Sequence, residues 1–247
     1  MKDVWDKFSD LLGKTIFHPQ YYLKSYEYMV VEAVKKYVKG ILVDIGCGRQ
    51  VYKKELLPFV KKYIGVDHPN ISRLYKNKEK PDILADATKI PLKEGYCNTA
   101  LMISVLEHLP YPQRAVKEAN RILSKRGYLI LITVQNYVLH DTPFDFFRYT
   151  RFGLKKILED AGFKVITIKP LGNFFELMGQ YLNVFLLYRT KDLIKSRRMK
   201  IAGYFAIPFV YALCLISNFI VFFFRKTLQK DRRGGFAIYN LAVAQKP

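Results

Sequence analysis

The chain has 247 residues, with 41 Lys and Arg against 21 Asp and Glu, and a formal net charge of +20. That length suffices for one large α/β domain with insertions, and the charge favours an anionic partner: nucleic acid, a phosphate-bearing substrate or an anionic membrane surface. Cys47, Cys97 and Cys214 are odd in number and lack zinc spacing, which argues against a disulfide framework or a metal centre and for a reducing compartment.

The N-terminal stretch holds acids and no uninterrupted apolar run, so it does not read as a signal peptide. Val4, Trp5, Phe8, Leu11 and Leu12 fall at helical spacing, with Gly13 as a stop. A second helix is expected from Gln20 to Lys39, with Tyr22, Tyr26, Met29, Val30, Ala33 and Tyr37 on one side. Residues 1–40 either cover a ligand cleft or cap a sheet edge.

Ile41-Leu-Val-Asp-Ile-Gly-Cys-Gly48 is an apolar run that ends in an acid and a Gly-x-Gly turn. The run predicts a buried parallel strand, and glycines there let the backbone turn sharply and approach a ligand. A dinucleotide site wants a third glycine, to seat a pyrophosphate at a helix N-terminus, but Val51 stands there. That disfavours a nicotinamide dinucleotide. After a short helix over Tyr52–Val60, Tyr63-Ile-Gly-Val-Asp67 predicts a second strand tipped by an acid. Such a carboxylate, about 20 residues beyond the first glycine, can accept from both ribose hydroxyls of an adenosine ligand. A turn-forming Asp before His68-Pro69 is the plainer alternative.

Asp82–Ala87 predicts a third strand, Asn98–Ser104 a fourth, Gln113–Leu123 an amphipathic helix, Gly127 a turn and Tyr128–Val134 a fifth strand. Strands alternating with helices argue for a parallel sheet covered on both faces, with ligands beyond the strands' carboxyl ends, where Asp44, Asp67, Asp86 and Glu107 lie. Next comes a long polar and aromatic loop, Val134–Thr150, in a position where substrate contacts gather. In it His140 is a candidate general base and Arg148 a candidate anion binder; alternatively Asp145 and Arg148 pair with each other and pin the loop. Thr150 reads as an N-cap for a helix over Arg151–Ala161, Phe163–Ile168 as a sixth strand and Gly235–Ala244 as a seventh, inserted antiparallel.

The series Val43-Asp-Ile-Gly-Cys-Gly48, Ile64-Gly-Val-Asp67, Ala85-Asp-Ala87 with Ile90-Pro-Leu92, and Val105-Leu-Glu-His-Leu109 resembles a class I S-adenosylmethionine (SAM)-dependent methyltransferase. The resemblance spans roughly Ile41–Lys169 plus the last strand. It implies a Rossmann-like α/β sheet of seven strands, six parallel and the seventh antiparallel, with helices on both faces. The implied cofactor is SAM, with Asp44, Gly46, Cys47 and Gly48 at its methionine end, Asp67 and His68 at the ribose, Asp86 and Ala87 at the adenine, and Ser104 and Glu107 lining the pocket. The loop resembles the His-x-x-Pro-Tyr-Asp-x-x-Arg-Tyr/Phe-Thr pattern of a subgroup often found with surface-glycan biosynthesis. That assigns Tyr137, Asp141, Arg148 and Tyr149 to the acceptor, with His140 and then His108 as candidate bases.

Residues 171–233 are unlike the rest. Ile201–Phe224 carries no charged side chain, and at 1.5 Å per residue it measures about 36 Å, enough to cross a bilayer core of about 30 Å. A single crossing would strand the seventh strand on the wrong side of the membrane. Phe174–Tyr188 is the only partner and is short and polar, so the sequence favours a helical hairpin dipping into one leaflet over a two-helix crossing. Its connector, Arg189–Lys200, and the stretch from Arg225 are basic, which suits an anionic cytoplasmic leaflet. The expected domains are 1–40, then 41–170 with 234–247, then the insert 171–233. The expected activity is methylation of a lipid-linked or amphiphilic small molecule at the membrane surface. RNA is disfavoured, since the basic residues flank apolar helices rather than stacking aromatics. A homodimer and a non-catalytic adaptor are left open.

Overall fold

The structure is a computed structural model that describes residues 12, 15–22, 25, 26, 31, 35–72, 80–227 and 234–247. The chain divides into two units, residues 30–171 with 239–247, and residues 1–29 with 172–238.

The larger unit is a seven-stranded sheet. Its strands are β1 (Ile41–Ile45), β2 (Lys62–Asp67), β3 (Ile83–Leu84), β4 (Cys97–Ile103), β5 (Leu123–Val134), β6 (Lys164–Leu171) and β7 (Tyr239–Gln245). They lie in the order β3-β2-β1-β4-β5-β7-β6. Pairings from β3 to β5 are parallel, and β7 runs antiparallel to both β5 and β6. The expected six parallel strands and one antiparallel strand are therefore present. The helices are α1 (Lys53–Leu56), α2 (Pro69–Ser72), α3 (Pro112–Ile122) and α4 (Arg151–Asp160). Val43, Ile64, Ala100, Met102, Leu129 and Leu131 from the strands meet Ala115, Val116, Ala119 and Ile122 of α3 in one buried core. Thr150 is the N-cap of α4, its hydroxyl accepting from the Gly153 N–H.

Several boundaries differ from the sequence expectation, among them the seventh strand, which begins at Tyr239 and not Gly235, and the helix expected over Tyr52–Val60, which spans only Lys53–Leu56. The third strand shrinks to Ile83–Leu84, because the Asp82 carboxylate accepts from the Gly65 N–H and Asp86 turns the chain out at once. The fifth strand begins at Leu123, so the turn expected at Gly127 is a kink inside β5. Arg126 there is left-handed at φ 59°, and the register with β4 shifts between Cys97 and Thr99.

The helix expected over residues 2–13 lies outside the described residues apart from Leu12. With it goes most of the segment expected to cover the cleft. Of the second expected helix, Tyr21, Tyr22, Ser25, Tyr26 and Val31 are helical, while residues 35–37 already form a turn.

The smaller unit is built on a hairpin of α5 (Phe174–Lys195) and α6 (Lys200–Thr227). Asn173 caps α5 by accepting from the Glu176 N–H. The expected first helix ended near Tyr188; α5 continues to Lys195, and only residues 196–199 connect it to α6. The cations at 191, 195, 197, 198 and 200 thus cluster at the tip. The helix passes through Pro208 unbroken. The polarity of the pair is inverted. Glu176, Gln180 and Asn183 of α5 and Ser217 and Asn218 of α6 are buried, while Met178, Leu182, Phe185, Phe205, Phe209, Ile216, Phe219 and Phe223 are exposed. Asn218 holds the centre: its amide donates to the carbonyls of Ile16 and His18, both at 2.9 Å, and its side-chain oxygen accepts from Asn183 Nδ2 at 2.9 Å.

Candidate functional site

The carboxyl ends of β1, β2 and β4 bring the sequence-predicted residues to one edge of the sheet. Gly46 leaves β1 at φ 73°, and a Cβ there would lie 2.3 Å from Val105 Cγ2. Gly48 is also left-handed, at φ 53°. The N–H groups of Gly46 and Cys47 both donate to the Val66 carbonyl, which ties the turn to β2. Where a dinucleotide turn has its third glycine, Val51 faces solvent and the neighbouring Gln50 is buried, its amide donating to the Lys80 carbonyl. The turn is closed by a side chain rather than opened for a pyrophosphate.

Asp67 is buried and its carboxylate is already oriented. Oδ2 accepts from the Gly48 N–H at 2.8 Å and Oδ1 from the His68 N–H at 2.7 Å. A carboxylate has about four acceptor positions, so two are left for a diol. Asp44 accepts from the Tyr63 hydroxyl. Burial, with the charge of Asp67 adding to it and the Tyr63 hydrogen bond opposing it, pushes its carboxyl up to about 7. Burial likewise raises the Cys47 thiol, with Asp44 next in effect. His68 is exposed, and its Nδ1 accepts from the Asn70 N–H. Asp86 accepts from the Thr88 N–H and hydroxyl, both at 2.7 Å, and these bonds hold its carboxyl below the usual range. Ala87 follows it, half-buried, and Ser104 leaves β4 exposed at φ 52°.

The loop over residues 135–149 is stitched onto the turn after β4. The Phe146 and Phe147 N–H groups donate to the Glu107 carbonyl, and His108 Nδ1 donates to the Phe144 carbonyl at 2.8 Å. Asp145 and Arg148 form a two-bonded pair at 2.6 and 2.7 Å, and Arg148 also donates to the carbonyls of Tyr137, Val138 and Phe147. That pair pulls the Asp145 carboxyl far below the ordinary range. Arg148 therefore braces the loop from within, as the second of the two sequence readings allowed. Asp141 is exposed at φ 49°, before a cis Thr142–Pro143 bond. Tyr137 packs edge-on against His140 at 5.2 Å. Tyr149 is buried with its hydroxyl unpartnered, and burial together with the Glu107 charge raises its pKa. From β7, Asn240 Nδ2 donates to the Tyr149 carbonyl and to Gln135 Oε1, fastening both ends of the loop.

Glu107 is fully buried. Its Oε2 accepts from the Thr133 hydroxyl at 2.8 Å, its Oε1 has no hydrogen-bond partner among the described residues, and burial raises its pKa. Ligand-type atoms of Glu107, His108 and His140 lie within 4.8 Å of one another.

Sequence reasoning missed Tyr63, Gly65, Gln50 and Thr133. Asp44 pairs in register with Gly65, so Tyr63 is its diagonal neighbour on the same face. The signal was Gly65, a glycine inside a buried strand: a Cβ there would lie 2.8 Å from Cys47 Sγ and 3.0 Å from Gln50 Cδ.

Residues 43–131 match the family model described as a methyltransferase domain. The chain is 30% identical over 128 residues to an uncharacterised protein of Methanocaldococcus jannaschii, covering 51% of this chain and 56% of that one. It is 33% identical over 108 residues to the tRNA (carboxymethyluridine(34)-5-O)-methyltransferase of Arabidopsis thaliana, covering 42% of this chain and 26% of that one. Thus the chain spans little more than half the first relative's length and about a quarter of the second's. Among solved structures, a SAM-dependent methyltransferase of Methanosarcina mazei superposes with TM-score 0.50 at 15% identity, over 87% of this chain and 96% of that one. The [4+2]-cyclase SpnF superposes with TM-score 0.56 at 17% identity, over 89% and 80%. Likeness at that level shows the fold, and a neighbour named as a cyclase illustrates that fold and reaction are separate matters. The glycine turn, the oriented Asp67 and the strand order agree with that match: residues 43–131 match a methyltransferase domain within a Rossmann-like sheet, and S-adenosylmethionine is the cofactor such a domain takes.

Proposed function

We propose that the chain is a SAM-dependent methyltransferase that works at the cytoplasmic face of a membrane on an amphiphilic or lipid-linked acceptor such as a glycan intermediate. SAM supplies a methyl group on a positively charged sulfur, already activated for transfer. The protein's share is then mainly alignment. The backbone at Gly46–Gly48 and the Asp44 carboxylate would hold the methionine end, Asp67 the ribose diol, and Asp86 and Ala87 the adenine edge. His140, and after it His108, stand at the loop where an acceptor proton would leave.

The inverted polarity of α5 and α6 carries the membrane reading. Only 22% of the apolar window in Lys200–Phe224 is buried, whereas a core helix of a soluble domain would be mostly covered. An interfacial helix keeps one polar face; α6 turns its few polar groups inward and leaves apolar side chains on the rest, which suits immersion beside α5. Five cations at the hairpin tip add roughly 1 kcal/mol each near an anionic leaflet. The net charge of +20 and the similarity to a tRNA methyltransferase favour a second reading, RNA as acceptor.

One experiment separates them. Full-length protein is incubated with methyl-labelled SAM plus membranes and cytosol from its source, and lipid, RNA, protein and small-molecule fractions are counted. Label in the organic phase is expected. Label confined to RNA would replace the lipid acceptor, and label confined to the aqueous pool would reduce the insert to an anchor or a dimer surface.

A further inference from the structure

We propose that Glu107, His108 and His140 form a binding site for one divalent transition-metal ion, of the two-histidine, one-carboxylate kind. The metal binding stands by itself; its use in the reaction rests on the methyltransferase reading above.

A carbonyl oxygen can only accept, so His108 Nδ1, 2.8 Å from the Phe144 carbonyl, carries its proton. His140 Nδ1 likewise faces the Val138 carbonyl and Asp145 Oδ2, both at 3.2 Å. Each neutral ring is then left with a lone pair on Nε2. Glu107 adds a carboxylate oxygen with no partner in a fully buried position. Ligand-type atoms of the three residues lie within 4.8 Å of one another, and such a cluster, with a buried carboxylate oxygen that has no partner among the described residues, suits a cation.

The geometry suits a metal. A metal–nitrogen bond of about 2.1 Å puts the ion roughly 3.2 Å from each ring centre. Two rings whose centres are 4.8 Å apart, as here, then subtend about 97° at the ion, between octahedral and tetrahedral angles. Ligand atoms around a bound zinc are about 3.3 Å apart, so small side-chain rotations close the site. Two imidazoles and one carboxylate fit zinc, manganese or iron rather than magnesium or calcium, which favour all-oxygen shells. A surrounding shell is present as well. Metal-bound histidines usually donate their other N–H to a carboxylate or carbonyl. His140 has Asp145, itself clamped by Arg148, and His108 has the Phe144 carbonyl. Asp145 and Arg148 are thereby positioning residues for a ligand.

Three protein ligands leave open coordination positions, the pattern of catalytic rather than structural sites. An acceptor hydroxyl bound there would have its pKa lowered and give its proton to water, so that the oxygen meets the methyl group as an alkoxide; with the ion bound, His140 and His108 serve as ligands in place of the base role.

The test uses chelator-stripped full-length protein in its detergent or lipid carrier, titrated with Zn2+ against a chromophoric chelator and with Co2+ followed by visible absorption. One Zn2+ per chain is expected, with ligand-field bands for Co2+. Glu107→Gln and His140→Ala should weaken binding at least thirty-fold. Asp145→Asn should weaken it about ten-fold, with circular dichroism and SAM affinity unchanged by that substitution. Absence of stoichiometric binding, or binding indifferent to Glu107→Gln and His140→Ala, overturns the site. SAM affinity is measured on the same samples. Metal binding without SAM binding would retain this site and sink the methyltransferase reading; SAM binding without metal would do the reverse.

Discussion

Replacing Gly46 by alanine tests the cofactor turn at its tightest point. At φ 73° an alanine pays about 1–2 kcal/mol for the left-handed conformation. Its Cβ would also stand 2.3 Å from Val105 Cγ2 and 2.9 Å from Cγ1, against the 3.5–4.0 Å carbon atoms prefer. Overpacking of that kind costs about 1–3 kcal/mol, and the stiffer unfolded chain returns up to about 1. The net loss is about 2–4 kcal/mol, a large part of an ordinary domain's stability. Removing both methyls with Val105→Ala in the same chain should recover the steric share, a coupling of about 1–3 kcal/mol, and leave the conformational share. Thermal unfolding by circular dichroism and SAM affinity by calorimetry read both terms. A Gly46→Ala protein that melts and binds SAM like the parent, or a double variant with no recovery, would refute the placement of this turn against Val105.

Three other outcomes follow from the structure. Asp44 is neutral in the fold below about 7 and ionises near 3.8 in the unfolded chain, so unfolding releases its proton; apoprotein stability should fall as pH rises from about 4 to 7, by on the order of 4 kcal/mol, then level off. Asp44→Asn should flatten that limb in urea titrations, and SAM, which brings a cation, should bind more tightly as pH rises towards 7. Arg148→Lys keeps the charge but loses the two-bonded pair and most of the carbonyl contacts. Amide exchange across residues 135–149 should rise about ten- to a hundred-fold while SAM affinity holds. Asn218→Ala removes the side-chain hydrogen bonds to the Ile16 and His18 carbonyls and to Asn183 Nδ2, while the His18 carbonyl keeps the Tyr21 N–H and Asn183 keeps the Pro19 carbonyl; the loss costs about 1–3 kcal/mol, and limited proteolysis near residues 15–22 should quicken at least ten-fold.

The parallel part of the sheet was legible because its strands are apolar runs, and the first three lead into a glycine or an acid at their carboxyl ends. Position along a strand could be read for Asp44 and Asp67, but their partners could not. Tyr63 reaches Asp44, and Gly48 reaches Asp67, through register, a property of two segments together. His140 is far along the chain from Glu107, so no local spacing announced that the two would meet. In the insert, hydropathy located the apolar surface well and the helix end poorly. Lys191 and Lys195 change the solvent preference of α5 without stopping it, since lysine is a good helix former. Arg148 shows the opposite limit. Its residue type suggested an anion site, and only the geometry shows it occupied with bracing its own loop.

The strand order has a consequence for how the protein is made. β5 and β6 are separated by β7, and β7 follows the whole insert in the chain. During synthesis, at about 5–20 residues per second, the ribosome spends roughly 3–13 s on residues 172–238 while the gap beside β5 stands open. The apolar hairpin emerges in that interval, before the sheet is complete. Only then does β7 arrive to close the sheet, and Asn240 travels with it to fasten both ends of the loop over residues 135–149. Assembly therefore has a built-in order, insert before completion, and the exposed aromatic side chains of α5 and α6 are made at the moment β5 is still an open edge.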